Sequence, residues 1–214
     1  IINCAAVMTD NNSLHDARNN LGMFMNFYNN ADLFGKFINT ASGAEFDRTT
    51  NINNAVESSI FDCMPSDSYG WGQNIKARLC ANTDNFYNIR IFNCFGNGEP
   101  STRIFPRFLT NGFADIQDRY FDYFSIQDLC KVVAHCIDNT WSLKDINAVY
   151  ETKYKVSEVL GKFCNLNNME PNFKVVSTNE YNYTGSGILL KSLGINLHGL
   201  EHGLLAYKEN YDSI

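Results

Sequence analysis

Phe37-Ile-Asn-Thr-Ala-Ser-Gly-Ala-Glu-Phe46 passes from apolar residues into small hydroxyl ones. It reads as a buried strand over Lys36–Thr40 that ends near Ser42. Downstream, Ser68-Tyr-Gly-Trp-Gly-Gln73 reads as the start of a helix, Tyr69–Tyr87, with the Tyr69 phenol at its mouth. Asn88–Asn93 is a further strand, and Ile1–Cys4 an earlier one. Between them Ser13–Leu33 carries Leu21, Met25, Phe27 and Tyr28 at helical spacing, with Ser13 as its cap and Asp16 in the first turns. The β-α-β-α-β order implies a parallel sheet with crossover helices. A hydroxyl and a phenol at the carboxyl end of such a sheet can exchange a proton with a carbonyl or an alcohol.

Working outward, Asp47–Ser68 is polar and irregular and reads as a loop. After Gly96 the pattern changes. Arg103–Asn111 reads as a short helix, Ile116 and Phe121–Ser125 as strand, and Ile126–Asn139 as an amphipathic helix. Ala148–Glu151, a helix near Val156–Cys164, a strand at Phe173–Val176 and a helix near Leu200–Tyr211 complete a smaller α+β portion. The chain opens on Ile1-Ile-Asn-Cys-Ala-Ala-Val7, the end of a strand that expects neighbours before it, so it is expected to be part of a longer chain.

The 214 residues suffice for one good core or a core plus a small lobe. With 44% hydrophobic, 14% aromatic and 19% charged residues the composition is globular. Net charge is −6, and no basic stripe interleaves with aromatics, which argues against a nucleic-acid groove. An acidic chain that binds a nucleotide must place its few cations locally. The seven cysteines are irregularly spaced without a Cys-x-x-Cys, so they are expected to be small buried apolar residues in a reducing, cytoplasmic setting. No membrane partner is expected, because no apolar stretch has spanning length. Asn11 and Asn182 match the glycosylation pattern only weakly. Asparagine is unusually frequent and is read as compositional bias. His198-Gly-Leu-Glu-His202 has zinc-like spacing, but its glycines make a poor helix and no third ligand is evident, so no metal is expected.

Six segments in order carry a resemblance. They are Asn3-Cys-Ala-Ala6; Ser42-Gly-Ala-Glu-Phe46; Tyr69-Gly-Trp-Gly-Gln-Asn-Ile-Lys76; Arg90-Ile-Phe-Asn-Cys-Phe-Gly96 with Gly98-Glu-Pro-Ser-Thr-Arg-Ile-Phe-Pro106; Phe124-Ser-Ile-Gln-Asp-Leu129; and Tyr183-Thr-Gly-Ser-Gly187 with Leu193-Gly194. Over nearly its whole length the chain resembles the extended short-chain dehydrogenase/reductase family, above all its nucleotide-sugar epimerases, dehydratases and reductases. The resemblance implies an α/β fold: a Rossmann-like parallel sheet lacking its amino-terminal strands, and a smaller carboxyl-terminal α+β substrate lobe. Residues 1–96 would form the catalytic part of the first unit, with segments near 115–150 returning to it, and 97–214 mainly the substrate lobe. The glycine-rich turn that seats the cofactor pyrophosphate would lie outside this chain.

By the same resemblance the cofactor is NAD or NADP and the substrate a nucleoside-diphosphate sugar. Tyr69 would be the general acid/base and Ser42 the substrate-orienting donor. Gln73 stands where the family carries a lysine, and bonds a ribose hydroxyl without supplying charge. A phenol titrates near ~10 in water and needs such help to act as a base. Asn3, Ala5, Ala6, Thr40, Tyr69, Gln73 and Phe92 would face the cofactor; Ser42, Glu45, Asn93, Arg103 and Arg119 would face the substrate. Phe121 takes the place of a phosphate-binding arginine. Lys76 either reaches partway back to the phenol or is a solvated surface residue. A homodimer through helices Ser13–Leu33 and Tyr69–Tyr87 is implied. The rival reading is an impaired pseudoenzyme or binding module of the same fold.

Overall fold

A computed structural model describes residues 1–7 and 13–211, the last three as backbone only. Asn11 lies outside the described residues. In chain order the elements are β1 (Ile2–Asn3), α1 (Leu14–Tyr28), β2 (Phe37–Ser42), β3 (Ile52–Ala55), α2 (Ser68–Ala81), β4 (Phe86–Ile91) and β5 (Cys94–Phe95). Then come α3 (Ile104–Asn111), β6 (Ala114–Gln117), β7 (Phe124–Ser125), α4 (Ile126–Asp138) and β8 (Asp145–Ala148). Last are α5 (Val156–Leu166), β9 (Phe173–Ser177), β10 (Tyr183–Gly185), α6 (Ile188–Ser192) and α7 (Leu200–Tyr211).

The main sheet has the order β1-β2-β4-β8, all parallel. The side-chain alternation of the strands sorts its two faces. Phe37 and Phe86 meet Phe24 of α1 and Cys80 of α2 on one side. Ile38, Tyr87, Ile89 and Ile146 meet Leu129, Val132 and Cys136 of α4 on the other. Helices on both faces make this the doubly wound α/β arrangement expected from the alternating pattern. A separate core joins α3, β6, α5 and α7 around Phe105, Phe108, Ile116, Leu160, Phe163 and Leu204.

Three expectations about the elements need correction. The first helix ends at Tyr28 rather than Leu33, and Ala31–Leu33 forms a separate 3-10 turn. The stretch 47–68 is not all loop: Ile52–Ala55 is a strand paired in parallel with β10. The second helix ends at Ala81, capped by Asn82, and Phe86–Tyr87 already belongs to β4. Ser13 caps α1 as expected, its Oγ accepting from Asp16 N at 3.3 Å.

The face of the sheet toward α1 and α2 is not purely apolar. Asn3, Asn39, Asn88 and Asp145 stand in register across all four strands. They form a hydrogen-bonded ladder: Asn3 Nδ2 donates to Asn39 Oδ1 (3.0 Å), Asn39 Nδ2 to Asn88 Oδ1 (2.8 Å) and Asn88 Nδ2 to Asp145 Oδ1 (3.1 Å). Much of the asparagine in these strands is therefore structural, not compositional bias. The seven cysteines are free; Cys80, Cys136 and Cys164 are buried, but Cys4 and Cys130 are exposed, against the expectation of burial. Among the described residues no helix is long and apolar enough to cross a membrane.

Candidate active site

Close backbone approach sets the turn that follows Ser42 against the mouth of α2. β2 ends on Ser42, which caps a short 3-10 turn, Gly43–Glu45, its Oγ accepting from Ala44 N at 3.2 Å. The mouth of α2 is capped by Asp67, whose carboxylate accepts from Gly70 N at 2.9 Å. A Cβ on Gly70 would lie 2.5 Å from the Ala44 carbonyl oxygen. Glycine is required there for α2 to rest on the serine turn; its value is close approach, which outweighs its cost to the helix.

Ser42 and Tyr69 line one cavity of about 310 Å³ at the carboxyl end of the main sheet, with Phe92, Phe121, Tyr183 and three arginines. Arg48 donates to Asp67 Oδ1 at 2.8 Å and lies 5.8 Å from the Tyr69 ring centre. Arg119 donates to the Tyr181 carbonyl at 3.1 Å and stacks 4.9 Å over Phe121. Arg103 sits at the start of α3. An acidic chain thus gathers three guanidinium groups on one concavity, a setting that favours an anion. A second cavity of about 430 Å³ adjoins it, sharing Arg119 and Phe121 and lined further by Ile104, Arg107, Gln117 and Tyr123.

Other expected site residues lie elsewhere. Glu45 does not reach the cavity: it is wholly buried beneath the sheet, its Oε2 accepting from Arg90 Nε at 2.5 Å. Burial pushes its carboxyl up to about 7, against the opposing pull of the Arg90 guanidinium. Arg90 also holds Asp145 (2.5 Å) and Asn147 (2.8 Å). A buried pair of this kind leaves Glu45 no freedom to bind substrate. Asn93 is buried outside the cavity lining, its carbonyl accepting from Phe124 N at 2.9 Å. Asn3 is occupied by the ladder and by Ala5 N (3.3 Å), and Thr40 Oγ1 donates to the Asn3 carbonyl at 2.9 Å. Ala5 and Ala6 are exposed.

Gln73 follows Tyr69 by one helical turn. It is 3% exposed, and its Oε1 has no hydrogen-bond partner among the described residues. Lys76 is 2% exposed rather than solvated; burial lowers its pKa, and the Glu45 carboxylate opposes that shift. His198 and His202 stack at 4.3 Å, but among the described residues no three His, Cys, Asp or Glu side chains are grouped to hold a metal ion. Arg48 and Tyr183 line the cavity of Ser42 and Tyr69, and sequence reasoning missed both. Arg48 sits in the supposed loop, and Tyr183 arrives through the unforeseen β3–β10 pairing.

No model of a known protein family matches the sequence, and no curated protein matches it. Solved structures do. A dTDP-glucose 4,6-dehydratase from Bacillus anthracis, in complex with NAD, superposes with a TM-score of 0.80 at 13% identity, over 100% of this chain and 72% of the other. A GDP-mannoheptose C4 reductase from Campylobacter jejuni, with NADP bound, gives 0.77 at 16% identity over 99% and 80%. A UDP-glucuronic acid 4-epimerase from Bacillus cereus, in complex with UDP-glucuronic acid and NAD, gives 0.72 at 12% over 92% and 68%. The chain therefore has the Rossmann-like fold of the extended short-chain dehydrogenases/reductases that the sequence resembles.

Proposed function

We propose that this chain belongs to an NAD(P)-dependent epimerase, dehydratase or reductase acting on a nucleoside-diphosphate sugar. The observation that carries the reading is the shared cavity of Ser42 and Tyr69 with Arg48, Arg103 and Arg119 on its wall. Tyr69 exchanges a proton with a sugar hydroxyl or carbonyl, and Ser42 donates to the same oxygen. The guanidinium groups hold the diphosphate, which spares the site the arginine that Phe121 displaces. The adjoining cavity beyond Arg119 takes the nucleoside. A nicotinamide, when bound, supplies hydride acceptance and donation. The chain's residues fit that cofactor at one point: the orphaned, buried Gln73 Oε1 is an acceptor for a ribose hydroxyl one turn from Tyr69.

A specific observation favours a second reading, a sugar-nucleotide binder without turnover. Gln73 brings no ammonium to the phenol, and the Lys76 ammonium is buried near Glu45. The two are separated by incubating the protein, together with the glycine-rich part that the resemblance places before residue 1, with NAD or NADP and UDP-glucuronic acid or dTDP-glucose, and following products by NMR. Conversion that falls on the order of a hundredfold or more in Tyr69→Phe supports the enzyme. Binding of the sugar nucleotide without conversion supports the second reading, and absence of binding defeats both.

A further inference from the structure

Gln73 leaves the Tyr69 phenol without a charge from the next turn of its own helix. Lys76, the first cation of α2, is 2% exposed and drawn to the Glu45 carboxylate. Seven residues on from Tyr69, it also stands about 10 Å away along the helix axis. The Arg48 guanidinium is closer. It lies 5.8 Å from the Tyr69 ring centre, on the wall of the cavity that both residues share with Ser42. Its place is set by the helix cap: Asp67 Oδ1 accepts from Arg48 Nη2 at 2.8 Å and from Gly70 N at 2.9 Å. One carboxylate oxygen thus fixes both the guanidinium and the helical turn that carries Tyr69. Asp47 orders the turn next to Arg48, its Oδ1 accepting from Thr49 N at 3.1 Å and from Thr49 Oγ1 at 2.8 Å.

We propose that Arg48, acting through Tyr69, supplies the positive charge that the reacting phenol requires. When Tyr69 gives its proton to the sugar oxygen, its O–H bond breaks and the negative charge left behind spreads over oxygen and ring. A guanidinium beside that ring attracts the developing charge far more than it attracts the neutral phenol. In the reverse step the same attraction holds the phenolate ready to take the hydroxyl proton. Asp67 moderates the effect, because its carboxylate offsets part of the guanidinium charge. Arg103 and Arg119 are then left to hold the diphosphate. The inference rests on the reading of Tyr69 as the general acid/base.

The test is steady-state kinetics of Arg48→Met, Arg48→Lys and Asp67→Asn, in the protein that carries the glycine-rich part, with NAD or NADP and UDP-glucuronic acid or dTDP-glucose. Arg48→Met is expected to lower kcat about tenfold with KM little changed, and Arg48→Lys to keep most of the activity. Asp67→Asn retains the helix cap and the acceptor for Arg48 but removes the opposing charge, so kcat is expected to rise several-fold. Adding Gln73→Lys to Arg48→Met is expected to restore most of the lost kcat, since a cation returns to the phenol from another side. A pair that merely held the loop to the helix would make Asp67→Asn slower, not faster, and Gln73→Lys would restore nothing; either result overturns the inference. A rise in KM alone in Arg48→Met would put Arg48 on the diphosphate and overturn it too. Turnover indifferent to Arg48 and Asp67 leaves the proposed function standing and defeats this inference alone, whereas a wild type without turnover defeats both.

Discussion

At the residue scale the decisive side chain is Gln73. A cation about 5 Å from a developing phenolate is worth a few kcal/mol at an effective dielectric near 20. Gln73 forgoes that, and its buried Oε1 lacks a partner among the described residues. We predict that Gln73→Lys raises turnover by on the order of tenfold to a hundredfold. Steady-state kinetics of the variant with a converted sugar nucleotide checks this; an unchanged kcat would show that the site does not use a charge there. Arg119 gives a second residue-scale expectation. Under the proposed function Arg119 holds the anion on the cavity wall, so its loss in Arg119→Ala should raise KM several-fold more than it lowers kcat. Ser42 and Tyr69 were legible in the sequence because each sits in a local pattern, a strand end and a helix mouth. Arg48 and Tyr183 were not, since no local pattern joins residue 48 to a helix cap at 67, or places residue 183 on the same cavity as a serine 141 positions earlier.

At the scale of elements, the strands of the main sheet carry a polar row where a doubly covered sheet usually reads as continuous apolar sequence. Asn39 shows why the row is costly to break. It accepts from Asn3 and donates to Asn88, and it is wholly buried. Asn39→Leu would strand one buried donor and one buried acceptor, a cost of about 2–4 kcal/mol. A urea unfolding curve should show that loss as a lower midpoint with an unchanged slope; a shift within experimental error would mean that the ladder contributes little. The strands themselves were readable from β-branched and aromatic residues, but the ladder was not. A single Asn between apolar neighbours looks like an interruption until three other strands set their polar residues at the same level. The same logic explains the overextended second helix. Asn82 supplies the stop, and the aromatic residues Phe86 and Tyr87 fit a helix face and a strand equally well in sequence.

At the scale of the whole molecule, α1 and α2 pack side by side on one face of the sheet, with Trp71 of α2 40% exposed. The family resemblance implies a dimer through these helices; the expected outcome in light scattering is a dimer mass that Trp71→Glu reduces to a monomer. Stability itself should depend on the buried charges between that helix layer and the strands. Glu45 accepts from Arg90 and Asn88 with no exposed surface, and its carboxyl is pushed from 4.5 up to about 7. A carboxyl whose folded pKa lies above its unfolded value holds more protons when folded between the two values. Its contribution is therefore full below pH 4.5 and is lost as pH rises through about 7. The shift corresponds to about 3 kcal/mol across that window. Glu57, raised by burial in the same way, acts in the same direction. Wild-type stability should consequently fall between pH 4.5 and 8, and Glu45→Gln should make that slope shallower while leaving the parts due to Glu57, Glu99 and Asp122, whose carboxyls burial also raises. Urea midpoints of the two proteins across this range provide the measurement. Parallel profiles would mean that Arg90 keeps Glu45 ionised in the folded chain and that the pair, not the proton, balances the burial.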